Sequence, residues 1–87
     1  MKITVRYFAS VREHIGLSQE TIDTQSADLA ALRMELISKG ENYSNGLSAG
    51  KAIRMALNQQ VCDDNTPLTE NAEVAFSLLS QGVDDAI

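Results

Sequence analysis

Only one cysteine, Cys62, and one proline, Pro67, occur in the chain, tryptophan is absent, and the aromatic residues are two tyrosines and two phenylalanines. A lone cysteine cannot close an internal disulfide, which fits a reducing compartment and leads us to expect a cytoplasmic protein. No apolar run approaches the roughly 20 residues needed to span a bilayer. No signal segment is expected either, because Lys2-Ile3-Thr4-Val5 already alternates as a strand does. Basic residues are scarce: seven Lys and Arg stand against twelve Asp and Glu, a formal charge of −5. Without a basic stripe, nucleic acid and anionic membranes are excluded as expected partners, and a partner with a basic surface is expected instead.

Catalytic constellations are also missing. His14 is the only histidine, reads as a solvated surface residue, and has no cysteine or carboxylate cluster at metal-ligand spacing. No metal site and no catalytic residue is therefore expected. Cys62 lies in a short alternating segment and reads as a half-buried structural residue. Gly46 and Gly50 lack the strand-loop-helix setting of a phosphate loop. Asp63-Asp64 and Asp84-Asp85 read as solvated turns or ends.

What is present is a patterned core. Eighty-seven residues with 44% apolar content fit one folded domain rather than a disordered chain, and a chain of this size buries only about 60% of its unfolded surface. Ile3, Val5 and Tyr7 alternate with Thr4, Arg6 and Phe8, giving a half-buried strand over 2–8. Ala9 to Ile15 reads as a short helical turn stopped by Gly16, and Gln19 to Thr24 as a second strand hairpinned onto the first. With Ser26 as N-cap, Leu29, Leu32, Leu36 and Ile37 form one apolar stripe at helical spacing, ended by Gly40. Glu41 to Gly50 is rich in Asn, Ser and Gly and reads as loop with at most one helical turn.

Ile53, Met55 and Leu57 alternate as a third strand, and Asn58-Gln59 turns the chain into Gln60-Val61-Cys62. Pro67 marks a break, because proline cannot sit in a central strand. Glu73 opens the last strand, with Val74 and Phe76 facing the core. The order is strand, strand, helix, strand, strand, strand, with the helix covering one face of a mixed sheet. We therefore expect an α+β protein of the β-grasp, or ubiquitin-like, class, with about five strands and one main helix. Residues 1–76 form the domain and 77–87 an atypical tail. An aromatic at Phe8, on the face opposite Ile3, Val5 and Tyr7, points to a protein-binding surface, with Val61 a candidate for the same side.

Four segments in register carry a resemblance: Phe8-Ala9-Ser10-Val11-Arg12-Glu13, Ala31-Leu32-Arg33, Ala56-Leu57-Asn58-Gln59-Gln60-Val61, and Pro67-Leu68-Thr69 before Glu73-Val74-Ala75-Phe76. Together they resemble the MoaD family, the small sulfur-carrying subunits of molybdopterin synthase. Thiamine-pathway sulfur carriers share the fold and the Asn-Gln turn but generally lack the Phe-Ala-x-Val-Arg-Glu stretch, and rank second. A ubiquitin-like binding module without carrier chemistry is the third reading.

The resemblance implies a non-catalytic subunit of a sulfurtransferase. A C-terminal Gly-Gly carboxylate would be adenylated by a ubiquitin-activating-like enzyme that consumes ATP, and sulfur would displace AMP to leave a thiocarboxylate. The tail would then enter a pocket of the large subunit, in a heterotetramer, and deliver sulfur to the pyranopterin precursor of the molybdenum cofactor. The small subunit itself would hold no cofactor. Glycines suit such a tail because without Cβ they thread a narrow channel.

The tail departs from that pattern. Where the family typically continues Phe-Pro-Pro-Val-Thr-Gly-Gly, this chain has Ser77 to Val83 and four further residues, and only Gly82 agrees. Val83 is β-branched and stiff where a terminal glycine is wanted. With permitted codons, residues 76–84 read TTT TCC CTC CTG TCA CAG GGG GTT GAT. One thymidine inserted after the first codon converts this to Phe-Phe-Pro-Pro-Val-Thr-Gly-Gly and a stop. The tail therefore reads as the family tail one base out of frame. The competing reading is a natural paralogue that has lost carriage and kept docking. On either reading Phe8, Val61 and Ser77 are the expected partner interface, and the Leu78-Leu79 pair is expected to favour self-association.

Overall fold

A computed structural model of the chain describes residues 1–48 and 52–78. Five strands form one sheet: β1 (Lys2–Tyr7), β2 (Gln19–Asp23), β3 (Ile53–Leu57), β4 (Gln60–Cys62) and β5 (Glu73–Leu78). Their order across the sheet is β2-β1-β5-β3-β4. β1 and β5 pair in parallel at the centre, and the other neighbours are antiparallel. Three helices, α1 (Ala9–Ile15), α2 (Leu29–Ile37) and α3 (Glu41–Leu47), complete the fold. This is the mixed sheet of the β-grasp.

Strand periodicity decides which face is covered. Ile3, Val5 and Tyr7 of β1, Val74 and Phe76 of β5 and Met55 of β3 point one way and join Val11, Ile15, Leu29, Leu32, Leu36 and Leu47 of the helices in one core. The stripe expected on α2 is present, with Leu29, Leu32 and Leu36 buried and Ile37 packed at the margin. At the β3–β4 connection Asn58 and Gln59 both have positive φ, 51° and 72°, as a two-residue hairpin turn with the twist of the strands requires.

Local signals were misread at three places. The N-cap of α2 is Asp28 rather than Ser26, its side chain accepting from the Ala31 N–H at 2.9 Å. Ser26 instead donates its hydroxyl to Glu35 at 2.7 Å, while Thr24 donates to the same oxygen. The stretch after Gly40 is helical over Glu41–Leu47, where loop was expected. Its Asn, Ser and Gly content has poor helix propensity, but packing overrides this. Leu47 is fully buried, and at Gly46 an added Cβ would lie 3.3 Å from His14 Cβ and 3.4 Å from the Val11 carbonyl oxygen. Gly46 thus allows α3 to approach α1 closely. Arg33 of α2 holds the far end, donating to the carbonyls of Leu47 at 2.7 Å and Ser48 at 2.6 Å. Finally, β5 runs to Leu78, two residues past the expected domain boundary, with Ser77 opposite Arg54 and Leu78 opposite Ile53.

Candidate partner-binding face

Among the described residues, the other face of the sheet carries no helical core residue. Alternation assigns it Thr4, Arg6 and Phe8 from the β1 side, Glu73, Ala75 and Ser77 of β5, Arg54 and Ala56 of β3, and Val61 of β4. Register places Arg6, Ala75, Ala56 and Val61 in one row across four strands. One residue further along, Phe8 donates its N–H to the Phe76 carbonyl at 3.0 Å, which sets Phe8 beside Ser77.

The chain delivers Phe8 to this face by a sharp turn. Phe8 keeps extended geometry (φ −126°, ψ 157°) as the N-cap of α1, and Ala9 has φ 52°. Strand phase is therefore kept through Phe8, while Val11 and Ile15 of the following helix drop into the core. This accounts physically for Phe8 and Val11 serving opposite sides of the sheet within the Phe8 to Glu13 stretch.

Of the expected interface residues, Phe8 is half-buried and Val61 is 65% exposed, a large value for an aliphatic side chain. They lie three strands apart, about 14 Å at the usual strand spacing. Ser77 shares the face and neighbours Phe8 but is 4% exposed, so its own surface is small. Gly82 and Val83, and the Leu79 half of the leucine pair, lie outside the described residues. Cys62 is a free, half-buried thiol on the core side of β4, opposite Met55. His14 is exposed on α1. Among the described residues no group of three or more His, Cys, Asp or Glu is placed to hold a metal, and no helix is long and apolar enough to cross a membrane.

Sequence reasoning put Arg6 on this face but gave it no role, and passed over Glu73, Ala75 and Ala56. Arg6 Nη1 lies 3.4 Å from Glu73 Oε2, and its guanidinium sits 5.1 Å from the centroid of the Phe8 ring. With Gln59 and Ala75 these side chains line a depression of about 370 Å³. The signal was available in the alternation of β5, where Ala75 stands between the two core residues Val74 and Phe76. Ala75 is itself buried, and its smallness sets the floor of the depression. Charge placement could not be read from totals. The open-face phase carries Lys2, Arg6 and Arg54 against Asp23 and Glu73, while the whole chain carries −5. The acidic excess therefore lies elsewhere, and this face does not call for a basic partner.

A second polar cluster closes the edge of the core. Glu20 of β2 accepts hydrogen bonds from the phenols of Tyr7 at 2.7 Å and Tyr43 at 2.8 Å, and Lys39 Nζ is 3.5 Å from its other oxygen. Burial pushes the Glu20 carboxyl up, but the two phenols and Lys39 outweigh it and hold the group below its ordinary value. The phenols move the opposite way. Burial, then the hydrogen bond and charge of Glu20, push Tyr43 up to about 12 and raise Tyr7 as well.

Comparison with known proteins agrees with this geometry. The molybdopterin synthase sulfur carrier subunit of Escherichia coli (strain K12) is 32% identical over 74 residues, covering 85% of this chain and 90% of that protein. A chain of the complex of subunits 1 and 2 of the molybdopterin-converting factor from Helicobacter pylori 26695 superposes with a TM-score of 0.66 at 26% identity, over 95% of this chain and all of that one. SAMP1 from Haloferax volcanii shares the fold, with a TM-score of 0.73 at 14% identity, over 95% of this chain and all of that one. The model of the ThiS family matches residues 5–76, from the middle of β1 to Phe76 of β5, and the chain belongs to that family.

Proposed function

We propose that this chain is the sulfur-carrier small subunit of a molybdopterin synthase and docks on a large subunit through the open face of its sheet. The observation that carries the reading is the row that runs from Arg6, beside Phe8, over the buried Ala75 and Ala56 to the exposed Val61, on the sheet face that carries no helical core residue among those described. β5 supplies both the centre of that face and the strand from which residues 79–87 continue. A partner seated on it would be well placed to receive the tail. The likeness to the E. coli sulfur carrier and to the H. pylori complex supports a large subunit as that partner.

Carriage is chemically separate from docking. Activation by an ATP-consuming adenylating enzyme would give the tail carboxylate AMP as a leaving group, and sulfur would replace it. The chain itself contributes no acid or base to these steps and binds no cofactor; it presents a carboxylate and a surface. Docking rests on residues 1–78, whereas carriage rests on the tail, where Val83 and the residues after it depart from Gly-Gly.

Two measurements test the two parts. Sedimentation of the chain with the large subunit should give a complex that Val61→Asp weakens. Intact mass after incubation with the activating enzyme, ATP and a sulfur donor should show no gain of the sulfur–oxygen mass difference for this tail. A version ending in Phe-Pro-Pro-Val-Thr-Gly-Gly after Phe76 should show it. A complex with no thiocarboxylate on either version would favour the docking module; no complex would remove the synthase reading.

A further inference from the structure

The depression beside Phe8 has a polarity that a purely apolar docking face would lack. Arg6 is stacked on the Phe8 ring and lies 3.4 Å from Glu73, long compared with the roughly 2.7–2.9 Å of a strong charge-assisted hydrogen bond. A guanidinium offers five N–H donors, and among the described residues Arg6 spends one, on Glu73. The group is half-exposed, oriented by a ring on one side and a carboxylate at its edge. Its nearest cross-strand neighbour on β5 is Ala75, a floor that adds no competing acceptor. Gln59, held in a left-handed turn conformation, adds an amide at the rim.

We propose that this depression receives a carboxylate-bearing side chain of the large subunit, paired in a fork with Arg6 while its stem packs on Phe8 and Ala75. The inference rests on the docking reading above and names the chemistry of one contact within it. Arginine suits the task because its planar fork matches a carboxylate with two parallel hydrogen bonds and is already oriented by stacking. The alternative occupant, a lysine or arginine drawn to Glu73, would face the Arg6 charge. Three bases against two acids on this face oppose it further.

The test is the dissociation constant of the full chain for the purified large subunit, by calorimetry at low and high salt, for wild type, Arg6→Gln and Glu73→Gln. Arg6→Gln should weaken binding about tenfold or more and reduce its salt dependence. Glu73→Gln removes a like charge beside the incoming carboxylate but also one of the groups that orient Arg6, and should cost less binding than Arg6→Gln. Circular dichroism and melting should show both variants folded, since both side chains are partly exposed. Equal binding of wild type and Arg6→Gln would overturn the proposal and leave docking intact. A larger loss for Glu73→Gln than for Arg6→Gln would also overturn it and assign the depression to a cation. Failure of wild type itself to bind would remove the docking reading and this inference with it.

Discussion

Tyr43 on α3 and Glu20 on β2, twenty-three residues apart, share a hydrogen bond of 2.8 Å, and the Tyr7 phenol reaches the same carboxylate oxygen from β1. Three elements of different origin are thus tied at one acceptor. Tyr7 in turn lies nearly parallel to Phe76, with an interplanar angle of 16° and centroids 6.5 Å apart. The polar edge and the aromatic centre of the core are therefore mechanically continuous.

Glu20 gives the acid limb of stability its shape. Its carboxyl is held below its ordinary value in the folded chain, so its contribution is present above the unfolded value, near pH 4, and fades as pH falls through the folded one. Glu20→Gln should flatten that part of the pH profile. It should also lower stability at neutral pH by about 1.5–3 kcal/mol, the range for hydrogen bonds to a charged group. Urea unfolding of both proteins between pH 3 and about 7 checks this.

The alkaline limb has the opposite sign. Tyr43, pushed up to about 12, stabilises the fold below the ordinary phenol value of about 10. That stabilisation is lost as pH rises toward the folded value. An ultraviolet titration should show both tyrosines ionising well above pH 10, and Tyr43→Phe should remove half of the absorbance change while costing about 1 kcal/mol.

Arg33 anchors the helix that composition concealed. Its two hydrogen bonds to the Leu47 and Ser48 carbonyls, at 2.7 and 2.6 Å, close the C-terminal end of α3. Arg33→Ala should destabilise the fold by about 2–3 kcal/mol. Hydrogen exchange should quicken first in residues 41–47 rather than in the sheet.

The approach of α3 to α1 depends on Gly46. A β-branched side chain there would meet His14 Cβ and the Val11 carbonyl, neither of which is a flexible side-chain end. Gly46→Val should cost about 1–3 kcal/mol as an overpacked contact, read as a lowered melting temperature.

Gln59 offers a gain. Its φ of 72° is one that glycine adopts without Cβ strain, and Asn-Gly is the favoured pair for this hairpin turn. Gln59→Gly should raise stability by about 0.5–1 kcal/mol, seen as a higher urea midpoint with unchanged slope.

The sheet was legible because its information is local. Alternation at Ile3-Val5-Tyr7, at Ile53-Met55-Leu57 and at Val74-Phe76 has period two, and each run coincides with a strand. The helix at 41–47 was hidden because its stability comes from contacts with residues 11, 14 and 33, which no window around it contains. The cap of α2 was misplaced because Ser26 and Asp28 are both competent N-caps, and only tertiary packing sent Ser26 to Glu35. For the site, Phe8 and Val61 followed from phase, whereas the use of Arg6 depended on Glu73, sixty-seven residues away and brought alongside by parallel pairing of β1 with β5.

That central parallel pair has a consequence for assembly of the domain. β1 comes first among these strands along the chain and β5 last, yet each is the other's neighbour in the middle of the sheet. The hairpin of β1 and β2 and that of β3 and β4 can form early, but they remain two separate halves until Val74 and Phe76 wedge between them. Closure of the core therefore waits for β5 to take its place between them. A chain in which β5 is not yet paired has neither a closed core nor a continuous open face.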